Sequence, residues 1–188
     1  MAIKITNVKV NGIEEAFRGS KLPMATEPGT LNSDVTNTIK KLGSSKIGEG
    51  HDTFLNGIIV HFDVEFTIKA WTEAERYTFL NFVSSQSTMH RLSRMDIENQ
   101  YSEYVDPRMI EIMKELQDKY TETQSTDDYL RLVYSNPVGC KLTASMVTNY
   151  RQLKTIYYQR RTHRLPEWRE FCEWITTLPY FKEVVLGE

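Results

Sequence analysis

The sequence predicts an α/β fold in a single domain that spans residues 1–188. Segments in which apolar and polar residues alternate predict strands, and segments with apolar residues at helical spacing predict helices between them. A chain of 188 residues has the length of one ordinary domain and is too short for two well-buried cores. With 40% hydrophobic and 26% charged residues, the composition excludes a disordered or low-complexity chain.

The N-terminal part combines short elements with two long loops. Residues 3–10 alternate apolar and polar side chains, which predicts a half-buried strand, and a short helix is predicted at 13–18. Residues 19–33 are rich in Ser, Pro, Gly and Thr and are predicted to form a loop. A short helix at 34–42 is expected to end at the glycine that follows it, and residues 43–57 are predicted to form the second loop.

The strongest strand pattern covers residues 58–69. Every second residue from Val60 to Phe66 is apolar, so one face of this strand is predicted to lie in the core. Thr72 and Glu75 have the Thr-x-x-Glu spacing of a capping box, which predicts a helix that begins there and ends near Val83.

The C-terminal half is predicted to hold four helices and one strand. Pro107 opens the first helix, Ser125 and Asp128 cap the second, and residues 141–148 alternate like a strand. The third helix is predicted at 149–160 and the fourth from Pro166 onward. The last helix carries a core-facing stripe of Trp168, Phe171, Cys172 and Ile175.

The net charge and the spacing of the cysteines and histidines exclude several classes of protein. The chain has 23 Lys and Arg and 25 Asp and Glu, so its formal net charge is −2. Because the charges are nearly balanced, the chain is not expected to be a nucleic-acid coat or a membrane-surface protein. No window approaches the about 20 apolar residues of a membrane span, and no signal peptide is evident, so a cytoplasmic location is expected. Cys140 and Cys172 are expected to be buried thiols, and the histidine spacing predicts no metal site.

Residues 149–170 form a local basic cluster. Six Lys and Arg against two Glu give this segment a charge of +4, so the remainder of the chain carries −6. Guanidinium groups and a helix N-terminus both bind phosphate, so the cluster predicts a phosphate-bearing ligand; a solvated basic helix face is the alternative. Asn149 and Arg160 fall on one side of the helix and Arg151 on the other, which suits a site shared between subunits. The acidic remainder argues against nucleic acid as the partner.

A second polar cluster interrupts the core pattern between two predicted elements. Its members are Gln86, Ser87, Thr88, His90 and Arg91. Amide, hydroxyl, imidazole and guanidinium groups can bind a base and a phosphate, although a polar turn has the same composition.

Two motifs in these clusters resemble the signature of a known protein family. They are Gln86-x-x-Met89-His90-Arg91, and Asn149-x-Arg151-x-Leu153 with Arg160 and Trp168 further on. The spacing resembles the signature of the flavin-dependent thymidylate synthases, which is Gln-x-x-Arg-His-Arg followed by Asn-x-Arg-x-Leu and a later arginine. The stretches GHDTFLNGIIVHFD, SSQSTMHR and TNYRQLKTIYYQRRTHRLPEWREFCEWI are similar to phage and prophage proteins related to that family. This similarity covers most of the chain.

The resemblance implies the fold, the cofactor and the site residues. It implies an antiparallel sheet packed with helices, and a homotetramer in which several subunits build each site. In that family reduced FAD delivers a hydride to dUMP, and a tetrahydrofolate donor gives the methylene group. The implied nucleotide-binding residues are Gln86, Arg160 and, after a shift of register, Glu98, with Arg160 also the implied catalytic residue; those around FAD are His90, Arg91, Asn149 and Arg151.

The chain departs from the family's pattern at two places. Met89 replaces the first arginine of Arg-His-Arg, and the family's motif beyond Arg91 is not present, so phosphate contacts are lost. The first hypothesis is a phage-type thymidylate synthase-like protein that binds a dUMP-like nucleotide and FAD, with the departures weighing against methyl transfer. The alternative is a non-catalytic protein on the same fold that binds a nucleotide or, in counter-defence, a host protein.

Overall fold

The computed structural model describes residues 3–188, so the first two residues of the predicted 1–188 domain lie outside it. Its centre is an antiparallel sheet of four strands in the order β1-β2-β4-β3. The two central strands pair along their whole length, so that residue 59 faces residue 149 and residue 67 faces residue 141. The strands are β1 (Ile5–Asn11), β2 (Ile59–Thr67), β3 (Asn81–Ser85) and β4 (Lys141–Asn149).

Eight α-helices connect and cover the strands in the described part of the chain. They are α1 (Ile13–Ser20), α2 (Asn37–Gly43), α3 (Ile68–Ala74), α4 (Thr88–Arg91), α5 (Pro107–Thr123), α6 (Thr126–Tyr134), α7 (Tyr150–Arg160) and α8 (Pro166–Ile175). A π-helix at Phe181–Leu186, which the sequence analysis did not predict, follows α8 and buries Val184 and Val185. Each predicted loop contains short 3-10 turns, and the second loop buries Leu55.

The main core lies between one face of the sheet, α7 and α8. The predicted inward residues of β2, from Val60 to Phe66, are all buried, and so are the four residues of the α8 stripe. A second apolar cluster beneath α5 and α6 contains Cys140. Both cysteines are free and buried, as predicted, and burial raises the pKa of the Cys172 thiol to about 12.

The helix predicted from Thr72 to Val83 is wrong. The helix starts earlier because Thr67, not Thr72, is the cap: Thr67 Oγ1 accepts from the Ala70 N–H at 3.2 Å. The chain then turns at residues 75–80 and continues as β3. Tyr77 and Leu80 of this turn reach back into the core, whereas Phe79 is exposed.

Several predicted boundaries are confirmed by their capping groups. Asp106 caps α5 ahead of Pro107, and Ser125 caps α6 through the Asp128 N–H. The strand predicted at 141–148 and the helix at 149–160 are present, although residue 149 is the cap of the helix rather than its first turn. The helix predicted at 34–42 begins later because Thr36 caps it.

Candidate functional site

The junction between β4 and α7 positions two of the predicted cofactor-binding residues. Asn149 ends β4 and caps α7, because its Oδ1 accepts from the Gln152 N–H at 2.8 Å. The Tyr150 N–H donates to the Ile58 carbonyl at 3.0 Å, which fixes the helix start against the sheet. The N-terminus of α7, with its partial positive charge, therefore opens at the edge of the sheet beside Arg151.

A buried ion cluster holds Arg151 in place. Its Nε donates to Asp52 Oδ1 at 3.0 Å, and Lys154 Nζ donates to Asp52 Oδ2 at 2.7 Å. The side chains of Asp52 and Lys154 are only 2% and 1% exposed. Because a buried carboxylate is stable only when paired, Asp52 is committed to these two cations and orients the guanidinium.

Lys154 ties the second loop to α7. Besides Asp52, its ammonium group donates to the carbonyls of Gly43 at 2.8 Å and Ser45 at 2.5 Å, so all three of its hydrogens have acceptors. Lys154 belongs to the basic cluster predicted at 149–170, but its burial and its pairing with Asp52 were not predicted. A signal was available, because Lys154 follows Leu153 and lies four residues after Tyr150, on a helix face that is otherwise apolar.

A cleft of about 580 Å³ lies in front of this cluster. Arg151 is 37% exposed and lines the cleft, and its Nη1 and Nη2 make no hydrogen bond with any residue in the described range 3–188. The remaining lining residues are Ile47, Gly48, Asp52, Asn56, Phe79, Asn149, Gln152 and Thr155. The cleft therefore presents a pre-oriented guanidinium fork beside a helix N-terminus, an arrangement that binds phosphate.

The Gln86 cluster lies elsewhere, at the edge of the sheet beyond β3. Gln86 continues the strand pairing, because its N–H donates to the Thr143 carbonyl at 2.9 Å and its Oε1 accepts from the Thr143 N–H at 3.0 Å. Arg91 Nη1 also donates to Gln86 Oε1. Gln86 and Arg91 are therefore in direct contact, whereas His90 is exposed on the same one-turn helix, α4.

Glu98 lies in a turn after α4 and is exposed. Its carboxylate accepts from Lys114 on α5, and its backbone N–H donates to Asp96 Oδ1 at 3.1 Å. These are surface contacts within the α5 region, and none of them joins Glu98 to Gln86.

Arg160 is buried inside the chain and is 4% exposed. Its Nε donates to Tyr77 Oη at 2.6 Å, and both Nη atoms lie 3.3 Å from Glu73 Oε2. The guanidinium also lies over the rings of Tyr77 and Trp168, at 5.5 and 5.0 Å from their centroids. A ligand could reach this guanidinium only if Glu73 and Tyr77 released it.

The groups around Arg160 have shifted pKa values that fit this pairing. The hydrogen bond from Lys69, with a further contribution from Arg160, lowers the pKa of Glu73. Burial raises the pKa of Tyr77. Burial and the Arg160 cation lower the pKa of His163, whose Nε2 lies 2.6 Å from Arg160 Nη1. The Arg160 guanidinium is thus surrounded by the side chains of Glu73, Tyr77 and His163.

A single chain does not bring the predicted site residues together. Gln86 pairs with Thr143, which lies six residues before Asn149 on β4, so these two sites are about 20 Å apart. Arg160 lies eleven residues beyond Asn149, or about 16 Å along α7. Among the cavities found in residues 3–188, none is lined by both Gln86 and Arg160, which the resemblance places on one nucleotide.

The largest described cavity, about 1170 Å³, lies between α1, α2 and the two loops. None of the predicted site residues lines it. Among residues 3–188, no group of three or more His, Cys, Asp or Glu side chains is placed to hold a metal ion. No helix in the same part of the chain is both long and apolar enough to cross a membrane.

Comparison with solved structures identifies the fold: it is that of the flavin-dependent thymidylate synthases. Two structures of the flavin-dependent thymidylate synthase ThyX from Helicobacter pylori, both with FAD and dUMP, are similar to the chain with TM-scores of 0.74 and 0.75. Each is 12% identical to it, and the matches cover 99% of this chain and 98% and 97% of those chains. No protein-family model and no curated protein matches the sequence. The likeness confirms the predicted fold.

Proposed function

We propose that the protein binds the phosphate of a nucleotide, FAD or a dUMP-like mononucleotide, in the Arg151 cleft, as a divergent phage-type relative of the flavin-dependent thymidylate synthases. This proposal rests on the position and pairing of the Arg151 guanidinium. Buried Asp52 fixes it through Nε, while both Nη groups remain available to a ligand in the cleft.

The electrostatics of the cleft support an anionic ligand. Asp52 is the only carboxylate among the described lining residues, and two cations already neutralise it. The N-terminus of α7 adds partial positive charge on the same side. A bidentate contact between a guanidinium and a phosphate is among the stronger charge-assisted hydrogen bonds, so Arg151 is the residue on which phosphate affinity depends.

The residues present fit a flavin nucleotide. A volume of about 580 Å³ lies within the range of ligand sites. Asn149 and Arg151, the residues that the resemblance places around FAD, line this cleft. A bound reduced flavin would supply a hydride there. The chain's own contribution is to hold the phosphate at Arg151 and to keep the second loop closed over α7 through Lys154.

The geometry favours binding over methyl transfer. Arg160, the implied catalytic residue, is buried and paired with Glu73. Met89 provides no cation where the family has an arginine; its carbonyl accepts from Tyr129 Oη at 2.7 Å. We therefore propose a nucleotide-binding role that does not require turnover of dUMP.

The substitution Arg151→Gln tests the proposal. It should weaken binding of FAD or dUMP about 10- to 100-fold, because it removes a bidentate contact worth about 1.5–3 kcal/mol. The matched control is Arg161→Gln on the exposed C-terminal end of α7, which should leave the affinity unchanged. Isothermal titration calorimetry gives both dissociation constants, and equal affinities for the two variants would refute the proposal.

We also propose that the protein is a homo-oligomer, with the tetramer of the resemblance as the expected state. All five residues of the edge strand β3 are exposed, including Phe82 at 49% and Val83 at 62%. An exposed apolar edge strand is a ready surface for pairing with another copy. A second copy could then bring its Gln86 to the Arg151 cleft, which one chain cannot do.

Light scattering after size exclusion tests this association. A mass four times that of one chain is expected, and Val83→Lys should shift it toward the monomer because it places a charge on the exposed edge. Thr121→Lys on the exposed side of α5 is the control and should keep the mass of the native protein. A monomeric native protein would contradict the association.

A further inference from the structure

We propose that the Arg151 cleft continues into a neighbouring depression, and that Phe79, between them, is the surface on which the planar ring of the ligand stacks. This inference rests on the proposed function, because it places the ring of the ligand whose phosphate Arg151 binds. It assigns a role to the turn at residues 75–80, where the sequence had predicted part of a helix.

The two depressions are adjacent and share lining residues. The neighbouring depression has a volume of about 360 Å³, and it shares Phe79, Gln152 and Thr155 with the cleft. Its far end is formed by Arg76 and Gln159. Because Gln159 lies eight residues beyond Arg151, the groove follows α7 for about 12 Å.

The turn holds the Phe79 ring outward. Tyr77 and Leu80, on either side of it, are 5% and 6% exposed and anchor the turn in the core, whereas Phe79 is 59% exposed. The Leu80 N–H donates to the Tyr77 carbonyl at 3.0 Å, and the Phe79 N–H donates to Gln152 Oε1 at 3.4 Å. The backbone of the turn is therefore fixed at Phe79, while most of the surface of its ring is exposed and open for stacking.

The polar groups of the groove suit a ring that carries carbonyl oxygens. Gln152 Oε1 accepts from Phe79, and Gln159 Oε1 accepts from Tyr77 Oη at 3.1 Å. The Nε2 groups of both glutamines make no hydrogen bond within residues 3–188, so they remain as donors along the groove. Amide donors beside an aromatic ring bind a pyrimidine or a flavin through its carbonyls and its π-face.

The predicted ligand class is therefore a phosphate ester of a planar heteroaromatic ring with carbonyl groups. Uracil and isoalloxazine rings both satisfy this description. The two sources are distinguished by separate titrations with dUMP and with FMN, and deoxyribose 5-phosphate serves as the probe that has the phosphate without the ring.

The experiment compares the full chain with Phe79→Ala, Phe79→Tyr and Tyr134→Ala by isothermal titration calorimetry. Tyr134 on α6 is the control, because it is also an exposed aromatic residue, at 85%, and lies neither in the groove nor on β3. Phe79→Ala should weaken the binding of whichever of dUMP and FMN binds more tightly by about tenfold, which equals about 1.4 kcal/mol. It should leave the affinity for deoxyribose 5-phosphate unchanged. The affinities of Phe79→Tyr and Tyr134→Ala should stay within about twofold of the native protein's.

The outcomes separate this inference from the proposed function. If Phe79→Ala leaves the ring-bearing ligands unaffected while Arg151→Gln weakens them, the phosphate site stands and the stacking role is overturned. Equal losses of affinity for the ring-bearing ligands and for deoxyribose 5-phosphate, or equal losses in Phe79→Ala and Tyr134→Ala, also overturn it. If the native protein binds none of the three probes, both proposals fail.

Discussion

Replacing Lys154 by methionine is expected to lower the free energy of unfolding by about 3–5 kcal/mol, because it removes one partner of a buried ion pair. Asp52 would keep Arg151 as its only cation, and the carbonyls of Gly43 and Ser45 would lose their donor. Methionine has a similar length, so the change isolates the charge from the volume of the side chain. Urea denaturation of the two proteins measures the difference.

The matched control for Lys154 is the same substitution at Lys40. Lys40 makes an ion pair with Glu183 at 2.7 Å, but both side chains are exposed by about 40%. An exposed pair contributes about 0–1 kcal/mol, so Lys40→Met should cost little. Equal losses in the free energy of unfolding at the two positions would show that the buried contacts of Lys154 do not hold the second loop against α7.

The second large effect is expected at Arg160. Arg160→Ala should destabilise the protein by about 3 kcal/mol, because it opens a cavity between Tyr77 and Trp168 and removes charge-assisted hydrogen bonds to Glu73. Thermal and urea unfolding give the size of the loss.

Arg161, the next residue, is the control for Arg160. It is exposed and its guanidinium rests on the rings of Tyr157 and Tyr158, at 5.7 and 5.5 Å from their centroids. Because exposed contacts of this kind are worth about 0.5–1 kcal/mol, Arg161→Ala should have a small effect. A stable Arg160→Ala protein would mean that the guanidinium is not held by the core, and is free for a ligand after all.

The fold could be predicted from residues whose position is decided locally. The alternation of β2, the cap at Ser125 and the apolar stripe of α8 all depend on neighbours within one or two turns, and all are present in the structure. The turn at 75–80 could not be predicted in the same way. Its apolar residues fit a helix, and only the tertiary core decides that they anchor a turn instead.

The site was predicted only in part, for a similar reason. Asn149 and Arg151 follow from a short motif, and the structure places both at one cleft. Asp52 lies almost a hundred residues before Arg151, and its pairing with Lys154 depends on how the second loop folds over α7. Phe79 carries no motif. Long-range contacts of this kind leave no fixed spacing in the sequence.

The burial of Arg160 is the observation that changes the functional interpretation most. Spacing on a helix gives the side on which an arginine lies, but it does not tell whether a carboxylate from another element already pairs with that arginine. Glu73 does so here, from α3, an element that the sequence analysis placed incorrectly.

The most direct test of the account is a crystal structure of the protein grown with FAD and dUMP. The account predicts a ligand phosphate within hydrogen-bond distance of the Arg151 Nη groups, in the cleft at the N-terminal end of α7. A phosphate bound elsewhere, with the Arg151 cleft holding only water at saturating ligand, would contradict it.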